Sequence, residues 1–152
     1  MDITLFNIRV YGFLLNEFNE ILLTDEFWFN EKVTKFPGGG LEKGEGPIDC
    51  LKRECIEELN QDISVINHVY TTDFFYTSKF ISNTQLICIY YLIKTNDKYN
   101  FTVSDKHHDY PVEKQGAQSF RFVDINKIND SDLTFKSDQI AFKKLKEFLN
   151  VK

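Results

Sequence analysis

Apolar and polar positions divide the 152-residue chain into a β-rich body with two helical segments. From Ile3 to Leu15 the residues are largely β-branched, aromatic or aliphatic; "NEFNE" (16–20) interrupts them and "ILL" (21–23) resumes the run. This pattern predicts a hairpin of the first two strands. "VTKF" (33–36) predicts a short strand ending at Pro37. Five glycines then fall between Gly38 and Gly46. Such density calls for unusual backbone angles or for close approach to another group.

Pro47 suits the first turn of a helix, where its missing N–H costs nothing. Ile48, Leu51, Cys55 and Leu59 follow at helical spacing and form one apolar stripe. Asn60 is a left-handed stop for that helix. Two long β-type stretches come next, Ile63–Tyr76 and Thr84–Lys94, and the nearly continuous apolarity of the second predicts a central strand. Residues 97–116 are polar and read as a long loop. "SFRFVDI" (119–125) predicts a last strand, and "SDQIAFKKLKEFL" (137–149) an amphipathic helix N-capped by Ser137. The expectation is a single α+β domain over residues 1–152.

Composition narrows the function. A formal net charge of −5 argues against nucleic acid or an anionic membrane surface as partner. The apolar run "ICIYYLI" (87–93) is too short to span a bilayer, and the N-terminal stretch carries no signal-peptide pattern. Cys50, Cys55 and Cys88 are odd in number. Cys50 and Cys55 lie about 140° apart around a helix, which predicts reduced, buried thiols in a cytoplasmic protein.

The charged side chains point to chemistry. Helical spacing puts Glu54, Glu57 and Glu58 in one arc about 100° wide, displaced from the apolar stripe. Like charges so spaced repel by a few tenths of a kcal/mol per pair. Clustered carboxylates are hard oxygen ligands, suited to Mg²⁺ or Mn²⁺. The alternative is a solvated acidic face.

The glutamates do not stand alone. In "GGLEKGEGPIDCLKRECIEELNQ" (39–61), Gly39, Glu45, Arg53–Glu54 and Glu57–Glu58 keep a spacing that resembles the Nudix box. The strands before it and the strands and closing helix after it are similar to that family's layout. The resemblance implies an α/β/α sandwich with a mixed β-sheet, a catalytic loop-helix-loop and a C-terminal helix. It departs at Asn60, where the family usually has Gly, and at Gln61, where it has an aliphatic residue. Thr34 stands where a tryptophan is often found.

The resemblance also implies roles. Glu54 falls on a metal ligand or general base, and Glu57 and Glu58 fall on metal ligands. The Gly38 carbonyl completes the shell, with Gly39 beside it. Glu45 and Arg53 brace loop against helix, or Arg53 binds phosphate. Glu113 is the first candidate for a further acidic ligand or base from a later loop, and Asp109 the second. His107 and His108 read as polar loop residues. Phe27, Trp28, Phe29, Phe74, Phe75 and Tyr76 are the aromatics available to stack on a base.

The implied activity is Mg²⁺-dependent, with Mn²⁺ as an alternative: hydrolysis of a nucleoside diphosphate linked to another moiety, by attack of activated water on phosphorus. A nucleotide-binding sensor of the same fold is the second reading, and an isomerase acting on an isoprenoid diphosphate the third. A homodimer is compatible with the family's exposed strand edges.

Overall fold

The computed structural model describes residues 2–150, so the outermost residues of the expected 1–152 domain lie outside the described ones. Seven strands and two helices follow in the order β1 (Leu5–Leu14), β2 (Glu20–Trp28), β3 (Glu31–Lys35), β4 (Gly38–Gly40), α1 (Pro47–Leu59), β5 (Ile63–Thr71), β6 (Thr84–Thr95), β7 (Gln118–Asp124) and α2 (Lys136–Phe148). One sheet runs β4-β1-β6-β5 and the other β3-β2-β7. β1 pairs β6 in parallel, while β4 and β5 are antiparallel to their neighbours, so the larger sheet is mixed. Apolar β6 is central in it, as its composition predicts.

Strand alternation sorts the core onto two faces. Val10 and Leu14 of β1, Ile63 of β5 and Ile93 of β6 pack against Cys50, Leu51, Cys55 and Leu59 of α1. Tyr11 and Phe13 of β1, Tyr70 of β5 and Tyr90 and Leu92 of β6 pack against Ala141, Phe142 and Leu145 of α2. Each large aliphatic or aromatic side chain so buried contributes about 1.5–3 kcal/mol. The result is the expected α/β/α sandwich.

Several local expectations are corrected. The β1–β2 hairpin reduces to a single bridge, Leu15↔Ile21. β1 gives its two edges to β4 and β6, while β2 joins β3 and β7 in the other sheet. The Ile63–Tyr76 strand stops at Thr71, and only Thr77 rejoins the ladder, by one bridge to Gln85. Gly38–Gly40 is itself a strand against Val10 and its neighbours, not only a loop.

The helices show two more differences. Ile48, in the first turn of α1, is exposed, and the buried face is Cys50, Leu51, Cys55 and Leu59. Ser137 does not cap α2, whose N-cap is Phe135. The Ser137 hydroxyl instead shares a 2.7 Å hydrogen bond with Tyr90 Oη, because a phenol buried there needs partners.

Candidate active site

The chain enters α1 through Gly46, whose N–H donates to Asp49 Oδ2 at 3.0 Å, with Pro47 at the first helical position. It leaves through Asn60 at φ 52°, in the left-handed conformation predicted for it. The Asn60 and Gln61 N–H groups donate to the Ile56 and Cys55 carbonyls, closing the last turn. Gln61, off the box pattern, is fully buried and clamps the loop after β6 by accepting from Asn100 N at 2.9 Å.

β4 brings the glycines onto this helix. A methyl group built on Gly39 would lie 2.5 and 2.6 Å from the two carboxylate oxygens of Glu54. Gly38 has φ 141°, and a Cβ there would collide with the Val10 carbonyl. Both positions therefore need glycine, one for a side chain and one for the backbone.

Arg53 ties the segment together. Its Nε and Nη2 donate to the two oxygens of Glu45 at 3.0 and 2.7 Å, and Nη2 also donates to the Gly40 carbonyl at 3.0 Å. This fork pulls the Glu45 carboxyl down to about 2. Nη1 reaches Glu54 and Glu57, each at 3.1 Å. All five donors of the guanidinium thus face groups of the same segment, which is a brace between loop and helix.

The three box carboxylates differ in their surroundings. Glu57 is exposed and drawn toward Arg53. Glu54 is mostly buried between Arg53 and Gly39. Glu58 has a buried Oε2 without a hydrogen-bond partner. Burial pushes the Glu58 carboxyl up to about 7, against the pull of the Lys35 ammonium. Among the described residues, no three His, Cys, Asp or Glu side chains converge into a preformed cage. Arg53 is the counter-ion of Glu54 and Glu57, and Lys35 pairs with Glu26.

Lys35 and Glu26 escaped the sequence reading. Lys35 is fully buried, with Nζ 3.0 Å from Glu26 Oε2, and donates to the Phe36 and Gly38 carbonyls at 3.1 and 3.3 Å. The available signal was a charged residue directly before the apolar Phe36–Pro37, on a strand too short to expose it.

Across β4 from Glu54 opens a cavity of about 220 Å³, whose walls include Trp28, Phe29, Phe80 and Phe135 and whose polar groups include Arg9 and Asp138. Phe29 stacks on Phe80 at 5.0 Å between ring centroids. Arg9 joins cavity to glycine strand, its Nη1 lying 3.7 Å from a Cβ built on Gly40. Of the aromatics singled out in the sequence, Trp28, Phe29 and Tyr76 line the cavity. Phe27 is in the core and Phe75 is exposed. Phe74 packs on Tyr76 at 5.6 Å. Thr34 donates to Asp25 Oδ1 at 2.7 Å, a polar role where a stacking residue was missing.

The later-loop residues are engaged elsewhere. Glu113 is exposed, 3.6 Å from Lys32. Asp109 accepts from the Ser104 hydroxyl at 2.6 Å. His108 N–H donates to Asp25, which Arg121 also grips at 2.7 Å, so this network pins the 97–116 loop to β2 and β7. The cysteines are free and buried, and burial pushes Cys50 and Cys55 up to about 12 and Cys88 up to about 11. They are structural thiols.

Comparison with known proteins agrees with this geometry. The family model described as "NUDIX domain" matches residues 5–143. A NUDIX hydrolase from Nitrosomonas europaea superposes with a TM-score of 0.71 at 16% identity, covering 93% of this chain and 89% of that one. A MutT protein from Methanosarcina mazei gives 0.66 at 18%, covering 97% and 96%. An ADP-ribose pyrophosphatase from Streptococcus suis gives 0.59 at 14%, covering 91% and 90%. A search of curated protein sequences returns no significant match. The chain belongs to the NUDIX domain family.

Proposed function

We propose that this protein is a Mg²⁺- or Mn²⁺-dependent pyrophosphohydrolase acting on a nucleoside diphosphate linked to a further group. The observation that carries the reading is the Gly38–Gly40 strand, which meets the α1 carboxylate Glu54 at Gly39 and Arg9 of the aromatic cavity at Gly40. An aromatic cavity suits a base, and the α1 carboxylates suit the cation of a diphosphate. The structural likeness to a MutT protein and an ADP-ribose pyrophosphatase supports the same class.

The residues fit a hard divalent cation. The donors are all oxygens, and the buried Glu58 Oε2 is an acceptor with no partner. Glu54, Glu57, Glu58 and the Gly38 carbonyl would hold the ion. When bound, it would neutralise the diphosphate and acidify water for attack on phosphorus.

The chain's own residues do the rest. Arg53, through Glu45 and the Gly40 carbonyl, fixes the glycine strand against the helix. Glu54, nearest that strand, is the proposed proton acceptor. Trp28 and Phe29 hold the base, and Arg9 lies between base and diphosphate. A proton-accepting role for Glu113 or Asp109 would require release from Lys32 or Ser104. The buried, protonated thiols support a reducing, cytoplasmic setting. Among the described residues, no helix is long and apolar enough to cross a membrane.

The test is phosphate release from a panel of nucleoside diphosphate-linked substrates, with coupled phosphatase, before and after exhaustive chelation. Turnover should vanish with chelator and return with excess Mg²⁺ or Mn²⁺. Turnover that survives chelation overturns the assignment. Nucleotide binding without turnover, at any metal concentration, makes the protein a sensor instead.

A further inference from the structure

Of the three arginines in the chain, two are committed to carboxylates. Arg53 grips Glu45, Glu54 and Glu57, and Arg121 grips Asp25. Arg9, in the cavity wall, differs. Its Nε donates to Tyr11 Oη at 2.5 Å. Among the described residues, its Nη groups meet no acceptor and no carboxylate partner. The guanidinium carbon lies 5.6 Å from the Tyr11 ring centroid and 5.7 Å from that of Trp28, so two rings hold the head in place. A guanidinium cannot shed its charge. Half-buried, fixed and without a counter-ion, it is a fork suited to an anion.

Its position says which anion. A Cβ built on Gly40 would lie 3.7 Å from Arg9 Nη1 and 3.8 Å from Asn7 Oδ1, whereas one on Gly39 would meet the Glu54 carboxylate. Successive residues of β4 thus face Arg9 and Glu54 on opposite sides. β4 ends the larger sheet, with β1 as its one strand neighbour, so no further strand separates these two faces. Resting on the diphosphate reading above, we propose that Arg9 binds the substrate phosphate nearest the base, over Gly40, while the α1 carboxylates and their cation take the phosphate beyond. Arg9 is then a specificity-determining residue. Its Nη groups form an anion subsite that works without metal and favours ligands whose cavity-bound group carries phosphate.

Inorganic pyrophosphate, added to the full chain in excess chelator, tests this without metal and without a base. The three arginine Nε–H resonances report it, Arg9's being the one that Arg9→Lys removes. Pyrophosphate should shift the Arg9 resonance saturably and leave those of Arg53 and Arg121 in place. Arg9→Met should weaken pyrophosphate binding by roughly 10- to 100-fold, with Arg9→Lys in between. Unfolding midpoints check that each variant is folded, and should Arg9→Met fail to fold, the wild-type resonances decide alone. An Arg9 resonance that does not move overturns the proposal. So does an uncharged nucleoside that moves it as far, which would make Arg9 a reader of the base. Metal-dependent turnover with an unmoved Arg9 resonance overturns this inference alone. A moved resonance in a protein without turnover at any metal concentration overturns the enzymatic reading and leaves the anion subsite standing.

Discussion

The Cα of Gly39 faces the Glu54 carboxylate so closely that a single added methyl group would lie 2.5 Å from Oε1. The obstacle is the far end of a flexible side chain, so the methyl group displaces Glu54 and leaves the backbone in place. Gly39→Ala should therefore fold with an unfolding midpoint near wild type and lose catalysis by about 10²-fold, the cost of misplacing a reacting group by about 1 Å. Gly38→Ala, which collides with the Val10 carbonyl at a positive φ, should lose stability as well. Full activity in Gly39→Ala would remove Glu54 from the chemistry.

The glutamates should separate by metal rescue. Glu57→Gln or Glu58→Gln removes a proposed metal ligand, so excess Mg²⁺ should restore part of the rate. Glu54→Gln removes the proposed proton acceptor, which typically costs 10² to 10⁴ in rate, or about 3 to 5 kcal/mol. Steady-state kinetics across a Mg²⁺ titration decide it. Equal rescue of Glu54→Gln and Glu58→Gln would make Glu54 only a ligand.

Arg53→Lys tests the brace. A lysine keeps the charge but cannot span both Glu45 oxygens, the Gly40 carbonyl and Glu54 at once. We expect kcat/KM to fall on the order of 10- to 100-fold, with no recovery at high metal. A lysine variant of full activity would show that the fork is dispensable.

Asp138 gives a pH signature in stability. It accepts from Tyr90 Oη at 2.5 Å, its Oδ2 has no partner, and burial pushes its carboxyl from 3.8 up to about 6. A folded-state value above the unfolded one means that protonation favours the native state. This contribution is complete below about pH 4 and is lost as the pH rises through about 6, an effect of about 3 kcal/mol. Asp138→Asn should thus match wild type near pH 4 and exceed it at pH 8, in urea unfolding. A variant whose difference from wild type does not change with pH would refute the shift.

The box segment was legible because its constraints are local. Glycine freedom, the proline start, the Asn60 stop and the spacing of Arg53 from Glu45 are written within 23 residues, and the structure keeps each of them. Sheet partnership was not legible. Periodicity shows that β1 and β2 are strands, but not that β1 prefers β6, far along the chain, to its neighbour. Lys35 was missed for a related reason. A lysine in a five-residue strand reads as a surface residue until Glu26, from another strand, is seen to neutralise it. Ser137 looked like a cap because only the fold reveals the buried tyrosine that claims its hydroxyl.

The parallel pairing of β1 with β6, from Leu5↔Thr84 to Leu14↔Ile93, has a kinetic consequence. The chain between those strands, residues 15–83, forms a closed loop of about 70 residues, and α1 with its glycine strand lies inside it. Closing so long a loop is slow compared with local helix formation. During synthesis β1 must wait for β6 to emerge, so the surface on which α1 docks forms late. The box segment is thus made before β6 and set in place only after it.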